Sequence, residues 1–175
     1  KYAKQKGAKC LAVLNVRGSS IARESDYVLY TEAGPEIAVA STKAYTTQLA
    51  VMYLLVAKMA LLRGEYTVEE TRHYMEEFQR VPEAISKVLE QRKEIHVVAK
   101  NVLEAKDLFM IGRGMDYSTL LEGSLKLKEV SYIHSEAYAA GELKHGPIAL
   151  IAQDVPVVAL VTQEKLMSKE LSNIK

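Results

Sequence analysis

The chain has 175 residues, 49% of them apolar, and its 23 Lys and Arg against 22 Asp and Glu leave a formal charge of +1. That apolar content is enough for one sizeable core or two small ones. Charges of both signs are scattered, which leaves no electrostatic footprint for nucleic acid or an anionic membrane, so an anionic ligand must be held locally.

Lys1–Gly7, without an initiator Met, reads as the last turns of a helix closed by glycine, so the chain is expected to begin inside a domain. The basic start leads into a short apolar stretch, Cys10–Leu14, too short for a signal segment and without a cleavage motif, and secretion is not expected. Cys10–Asn15 reads as a strand with Cys10 buried in it. A lone cysteine can form no internal disulfide, which is compatible with a reducing cytosol and a cytoplasmic protein. Gly18-Ser19-Ser20 supplies turn chemistry, Tyr27–Thr31 is a second strand, and Ala33-Gly34-Pro35-Glu36 breaks the pattern at a first domain boundary.

Ser41–Arg63 is a long helix, apolar on nearly every face and stopped by Gly64, and it is expected to be buried between layers. Its longest apolar run, Leu49–Ala57, is interrupted by Lys58 and falls short of the roughly 18 to 20 residues that span a bilayer, so no transmembrane helix is expected. Thr67-Val68-Glu69-Glu70 is a capping box that opens a helix expected to end near Pro82, and a further amphipathic helix runs from about Glu83 to Val102. Asp107–Gly112 is a buried strand entering Gly112-Arg113-Gly114, and a helix follows from about Tyr117 to Tyr132. Val155–Val161 is another strand, with Pro156 at its start where a missing donor is tolerated. Ser168 reads as the N-cap of a last helix that outruns the sequence, so both termini are expected to be cut. The alternation predicts an α/β architecture with a parallel sheet flanked by helices.

Chemistry-bearing residues concentrate between Leu121 and Pro147. On a helix, Glu122, Lys126 and Glu129 fall at i, i+4 and i+7, one stripe that sets an ammonium beside a carboxylate and so can position an acid and a base together. The same spacing also makes an ordinary surface ion pair. His145, between Lys144 and Gly146-Pro147, lies in a loop, where an imidazole suits proton transfer near neutral pH. His73 and His96 fall on the connecting helices and read as solvated. No His or Cys pair has metal-ligand spacing. Gly112-Arg113-Gly114 fits either a phosphate-facing turn or a tight strand-to-helix turn. Ser41-Thr42-Lys43 likewise fits either an anion site at a helix start or simple N-capping.

Three strings together, Glu36-Ile37-Ala38-Val39-Ala40-Ser41-Thr42-Lys43-Ala44-Tyr45-Thr46-Thr47-Gln48, Glu122-Gly123-Ser124-Leu125-Lys126-Leu127-Lys128-Glu129 and Gly141-Glu142-Leu143-Lys144-His145-Gly146-Pro147, resemble the glucosamine-6-phosphate synthases (glutamine:fructose-6-phosphate amidotransferases). Gly18-Ser19-Ser20 and Arg23-Glu24-Ser25-Asp26 extend the likeness over essentially the whole chain. The resemblance implies parts of two sugar-isomerase (SIS) domains in a three-layer α/β fold. Residues 1–34 would be the C-terminal part of the first SIS domain, 35–104 a helical connector completing it, and 105–175 the N-terminal part of the second.

The implied activity is conversion of fructose 6-phosphate and glutamine to glucosamine 6-phosphate and glutamate, the first step of hexosamine synthesis. By matching positions, Glu129 resembles the base that moves a proton between C1 and C2 of the fructosimine, and Lys126 its partner. His145 resembles the ring-opening histidine, which in the family reaches the neighbouring subunit's site, and Val39 and Ser41 match positions lining the sugar pocket. The likeness implies no cofactor and no metal, a glutaminase domain in the same polypeptide, and a homodimer. The family's phosphate-binding loop, glutaminase domain and C-terminal tail have no counterpart in these residues, so the chain by itself is expected to have little or no synthase activity. Two other readings stand beside this one. One is an SIS phosphosugar isomerase or deglycase without a glutaminase domain. The other is a non-catalytic regulatory SIS module that binds a sugar phosphate, which would have no need of Glu129, Lys126 and His145 together.

Overall fold

The computed structural model describes residues 1–175, which fall into two units, Lys1–Glu90 and Gln91–Lys175. In the first, helix α1 (Tyr2–Gln5) ends at Gly7, whose φ of +82° is a conformation open to glycine at little cost. Strands β1 (Leu11–Leu14) and β2 (Tyr27–Tyr30) pair in parallel, with Leu11 opposite Tyr27 and Leu14 opposite Tyr30. Cys10 lies just ahead of β1 and is half-buried, not a buried strand residue; its carbonyl accepts the N–H groups of Asp26 and Tyr27. The Gly18-Ser19-Ser20 turn opens a five-residue helix, α2 (Ser20–Glu24), capped by Ser19 Oγ accepting from Ala22 N at 3.3 Å. So short a helix has no apolar period to announce it in the sequence.

Helix α3 (Lys43–Leu62) is as long and apolar as the sequence implies, yet only Ala57 on it is buried, so the expected sandwiching between layers is not observed. It has 20 residues, and an 18-residue window of it has a mean hydropathy of 1.4, so by length and composition alone it is long and apolar enough to cross a membrane, a point that counting the Leu49–Ala57 run missed. One flank meets α4 (Val68–Glu90), where the Tyr53 and Phe78 rings sit 6.3 Å apart at 62°. The capping box forms as expected: Thr67 N donates to Glu70 Oε2 at 2.8 Å, and Glu70 N donates to Thr67 Oγ1 at 3.1 Å. The expected break at Pro82 does not occur, and α4 runs through it to Glu90. Pro82 has no N–H to give to the carbonyl four residues earlier, but the helix is solvent-exposed there, so water can take over that bond.

The second unit opens with α5 (Arg92–Lys100) and builds a three-stranded parallel sheet in the order β4-β3-β5, from β3 (Asp107–Gly112), β4 (His134–Ala139) and β5 (Val157–Leu160). β3 is central and buried from Leu108 to Gly112. Asp107 to Gly112 pairs with His134 to Ala139 on one side, and Phe109 to Gly112 with Val157 to Leu160 on the other. Helix α6 (Met115–Ser131) joins β3 to β4, and α7 (Glu164–Ile174) follows β5. The last helix thus begins four residues before Ser168, which lies inside it.

Two clusters fill this unit's core. Leu108, Met110 and Leu120 gather Val102, Leu127 and Ile133, while Ile111, Ala140 and Leu143 gather Tyr138 and Ile151. Ser124 and Ser135 bridge α6 and β4 inside the core: each hydroxyl donates to the other residue's backbone carbonyl at 2.9 Å, so neither buried oxygen is orphaned. Gly112 is dictated by close approach, since a Cβ there would lie 2.9 Å from Asp116 C and Tyr117 N. Sequence reading missed β4 because His134-Ser135-Glu136-Ala137-Tyr138-Ala139 carries polar side chains at alternate positions, as an edge strand does.

Candidate active site

Helix α6 presents the stripe that the sequence spacing picks out. Its buried side is Asp116, Leu120 and Ser124, with Leu127 packed beside them. Glu122, Lys126 and Glu129 each follow a member of that row by two residues, which places them about 200° further round the helix. Lys126 Nζ lies 2.5 Å from Glu129 Oε2 and 3.5 Å from Glu122 Oε1, with all three side chains between 20% and 24% exposed. This is a half-buried carboxylate-ammonium-carboxylate row, unlike a fully solvated surface pair. The hydrogen bond to Glu129 is the main cause that raises the Lys126 pKa above its ordinary value; burial opposes it, and the charges of Glu129 and Glu122 add to it. Lys126 is therefore a cation throughout the neutral range, held against Glu129. Such a pair has a carboxylate to carry a proton and an adjacent charge to stabilise a developing oxyanion.

His145 does not join that row. It sits in a 3₁₀ turn, Leu143–His145, exposed and with a ring that makes no hydrogen bond within the chain. Its backbone N–H donates to the Glu142 carbonyl at 3.0 Å, and Leu143 anchors the turn in the Ile111 cluster. Val39 and Ser41 belong to the first unit, in the loop before α3. Val39 is 92% exposed, and Ser41 Oγ donates to Glu36 Oε2 at 2.9 Å. His134 spends its ring on Asp107, with Nδ1 at 2.9 Å from Oδ1, as a strand-end contact between β4 and β3.

Two arrangements were not legible in the sequence. Glu36 Oε1 accepts the Thr42 N–H at 3.0 Å while its other oxygen takes Ser41, so the start of α3 already holds an anion of its own and neither simple N-capping by Ser41 nor an open anion site describes it. The other surrounds Gly112-Arg113-Gly114, which is a tight strand-to-helix turn. There Gln163 Nε2 donates to the Arg113 carbonyl at 2.6 Å, and Asp116, 5% exposed, accepts the Thr162 N–H at 2.8 Å together with the Thr162 hydroxyl. Burial pushes the Asp116 carboxyl upward, but the hydrogen bonds from Thr162 and Gln163 outweigh it and leave the pKa below its ordinary value. The turn's Arg113 carbonyl is thus held by the chain's own Gln163 side chain.

The SIS domain family matches residues 1–58 and 102–174. A glutamine–fructose-6-phosphate aminotransferase (isomerizing) from Clostridium perfringens is 56% identical over 170 residues, which cover 97% of this chain and 28% of that relative. One from Clostridium tetani is 57% identical over 173 residues, 99% of this chain and 28% of the relative. Among solved structures, the C-terminal domain of the glucosamine-fructose-6-phosphate aminotransferase from Francisella tularensis superposes with a TM-score of 0.95 at 40% identity, covering 99% of this chain and 49% of that one. The chain therefore spans 28% of the length of these relatives. With parallel sheets flanked by helices in both units and the family matching more than half of its residues, this chain belongs to the SIS domain family.

Proposed function

We propose that this chain is part of the isomerase half of a glutamine:fructose-6-phosphate aminotransferase that converts fructose 6-phosphate and glutamine to glucosamine 6-phosphate and glutamate. The observation that carries this reading is the half-buried Glu122-Lys126-Glu129 row, with its 2.5 Å contact between ammonium and carboxylate, set in a chain similar over nearly its full length to enzymes of that name. In the proposed chemistry, the Glu129 carboxylate takes the proton from C1 of the fructosimine as the electrons move through C1–C2 into the imine nitrogen. The imine nitrogen takes up a proton as it receives those electrons, and Glu129 then delivers its proton to C2 while the C1 hydroxyl proton leaves, giving an aldehyde at C1 and an amine at C2. Lys126 stabilises the oxygen on which charge builds. His145 opens the sugar ring before that step, and Val39 and Ser41 line the sugar pocket. The reaction needs no cofactor or metal.

The same reading assigns a glutaminase domain to the full-length polypeptide, a homodimer in which His145 serves the neighbouring subunit, and a cytoplasmic location. It keeps residues 1–34 and 105–175 as parts of two SIS domains joined through 35–104, and it gives the 175-residue chain alone little or no synthase activity. The test is Glu129→Gln in the full-length protein. Synthesis of glucosamine 6-phosphate should fall by about 10²- to 10⁴-fold while glutaminase activity and melting temperature hold. A wild type that binds the sugar phosphate but makes no glucosamine 6-phosphate would leave a non-catalytic SIS module or another phosphosugar isomerase as the reading.

A further inference from the structure

The turn carrying His145 rests against a side chain for which the reaction described above has no use. Arg113 leaves the carboxyl end of β3 and points its guanidinium toward α7, where Nη2 donates to Asn173 Oδ1 at 2.6 Å and Nε lies 3.6 Å from Glu170 Oε2. The same Nη2 lies 3.2 Å from the point where a Cβ on Gly141 would stand, so the guanidinium fills the space directly beneath that backbone. Gly141 begins the short run to His145. That run is tied down on its other side by Glu142 N donating to the Ala139 carbonyl at 2.8 Å and by buried Leu143.

Glu170 is the unusual member. It is 1% exposed, neither of its carboxylate oxygens accepts a hydrogen bond, and Arg113 Nε donates none. Burial raises the Glu170 pKa and nearby Asp116 adds to the effect, against the pull of Arg113. A carboxylate in such a place is a poor way to fasten a helix, because apolar side chains of similar volume would pack α7 as well or better. What the carboxylate does supply is direction: one acidic group beside the Nε of a guanidinium whose Nη2 reaches both Asn173 and the space at Gly141.

We propose that Arg113, oriented by Glu170 and Asn173, is a positioning residue that props the Gly141 backbone and so sets where the His145 imidazole lies. The proposal rests on the assignment of ring opening to His145. In that step the bond between C2 and the ring oxygen breaks, a proton reaches the ring oxygen and another leaves the C2 hydroxyl, giving the open-chain ketose. Nothing downstream of the open chain depends on His145.

The experiment uses the full-length protein and two substrates, fructose 6-phosphate and 5-deoxyfructose 6-phosphate. The second lacks the hydroxyl that closes the furanose and needs no ring opening. Arg113→Ala is expected to lower kcat/KM on fructose 6-phosphate about tenfold or more, while the value on the deoxy substrate stays within about threefold of wild type. Glu170→Gln keeps the buried shape and removes the charge, and it should give the same pattern at about three- to tenfold, so the comparison survives if Arg113→Ala does not fold. In a His145→Ala background, Arg113→Ala should cost less than about twofold more. Equal losses on both substrates, no loss on either, or the same loss with and without His145 would each overturn the positioning role. A wild type that makes no amino sugar phosphate sinks the functional reading instead, and is seen before any variant is compared.

Discussion

The two units contain similar kinds of residue and bury them very differently. In the second, β3 has neighbours on both edges and a helix across it, and Leu108, Phe109, Met110 and Ile111 are all buried. In the first, α3 is the more apolar element, yet Ala57 is the one buried hydrophobic residue of the whole unit, and Val56, Met59 and Leu62 are more than half exposed. The difference lies in the layers: a two-stranded parallel pair, two helices of four and five residues and one long helix cannot enclose a helix that is apolar all round, whereas a three-stranded sheet with α6 and α7 encloses a central strand. Apolar composition measures what a segment can bury; the layers around it decide what it does bury.

Substitutions in the 175-residue chain test that contrast. Ile111→Ala should cost about 2–5 kcal/mol in urea unfolding followed by circular dichroism, whereas Val56→Ala on α3 should stay within about 0.5 kcal/mol. Equal effects would mean that the first unit buries more than the structure places inside it. Ser124→Ala leaves the Ser135 carbonyl unpaired in the core, and about 1–3 kcal/mol should be lost from the same transition. Asp116→Asn sharpens the comparison through pH. The Asp116 pKa lies below its ordinary 3.8, so the stability it contributes is present above that value and is lost as pH falls through the lower folded value. Glu170 runs the other way: its pKa is raised above 4.5, so its cost to stability appears as pH rises from there toward the folded value. Melting temperatures measured between about pH 5 and pH 3 should therefore fall less steeply for Asp116→Asn than for the wild type. The smallest effect expected is that of Glu83→Gln on exposed α4, which removes the ion pair with Lys87 and should change stability by no more than about 0.5 kcal/mol.

The legible parts of the fold were those whose signal is local. β1, β2, β3 and β5 are apolar runs of strand length, and the α4 capping box is spelled out in four consecutive residues. β4 was not legible because an edge strand needs only one apolar face, and His134, Glu136 and Tyr138 read as loop chemistry. Pro82 misled because a proline's cost in a helix depends on whether water can reach the carbonyl it leaves unpaired, which sequence does not report. The same division holds for the candidate site. The Glu122-Lys126-Glu129 stripe was legible from helical spacing, which by itself fits a surface ion pair equally well; the roles given to it came from the resemblance. Arg113 and Glu170 are 57 residues apart in sequence, and Glu170 looks like any charged residue of a surface helix until α7 is laid against the end of β3.

The carboxylate of Glu36 at the start of α3 has a consequence for selectivity. Because it is tethered a few residues from Ser41 and Thr42, it acts there as a built-in competitor whose effective concentration is on the order of millimolar or above. Both of its oxygens are already engaged there, so a free anion of similar charge from solution would have to displace it before meeting the same two donors.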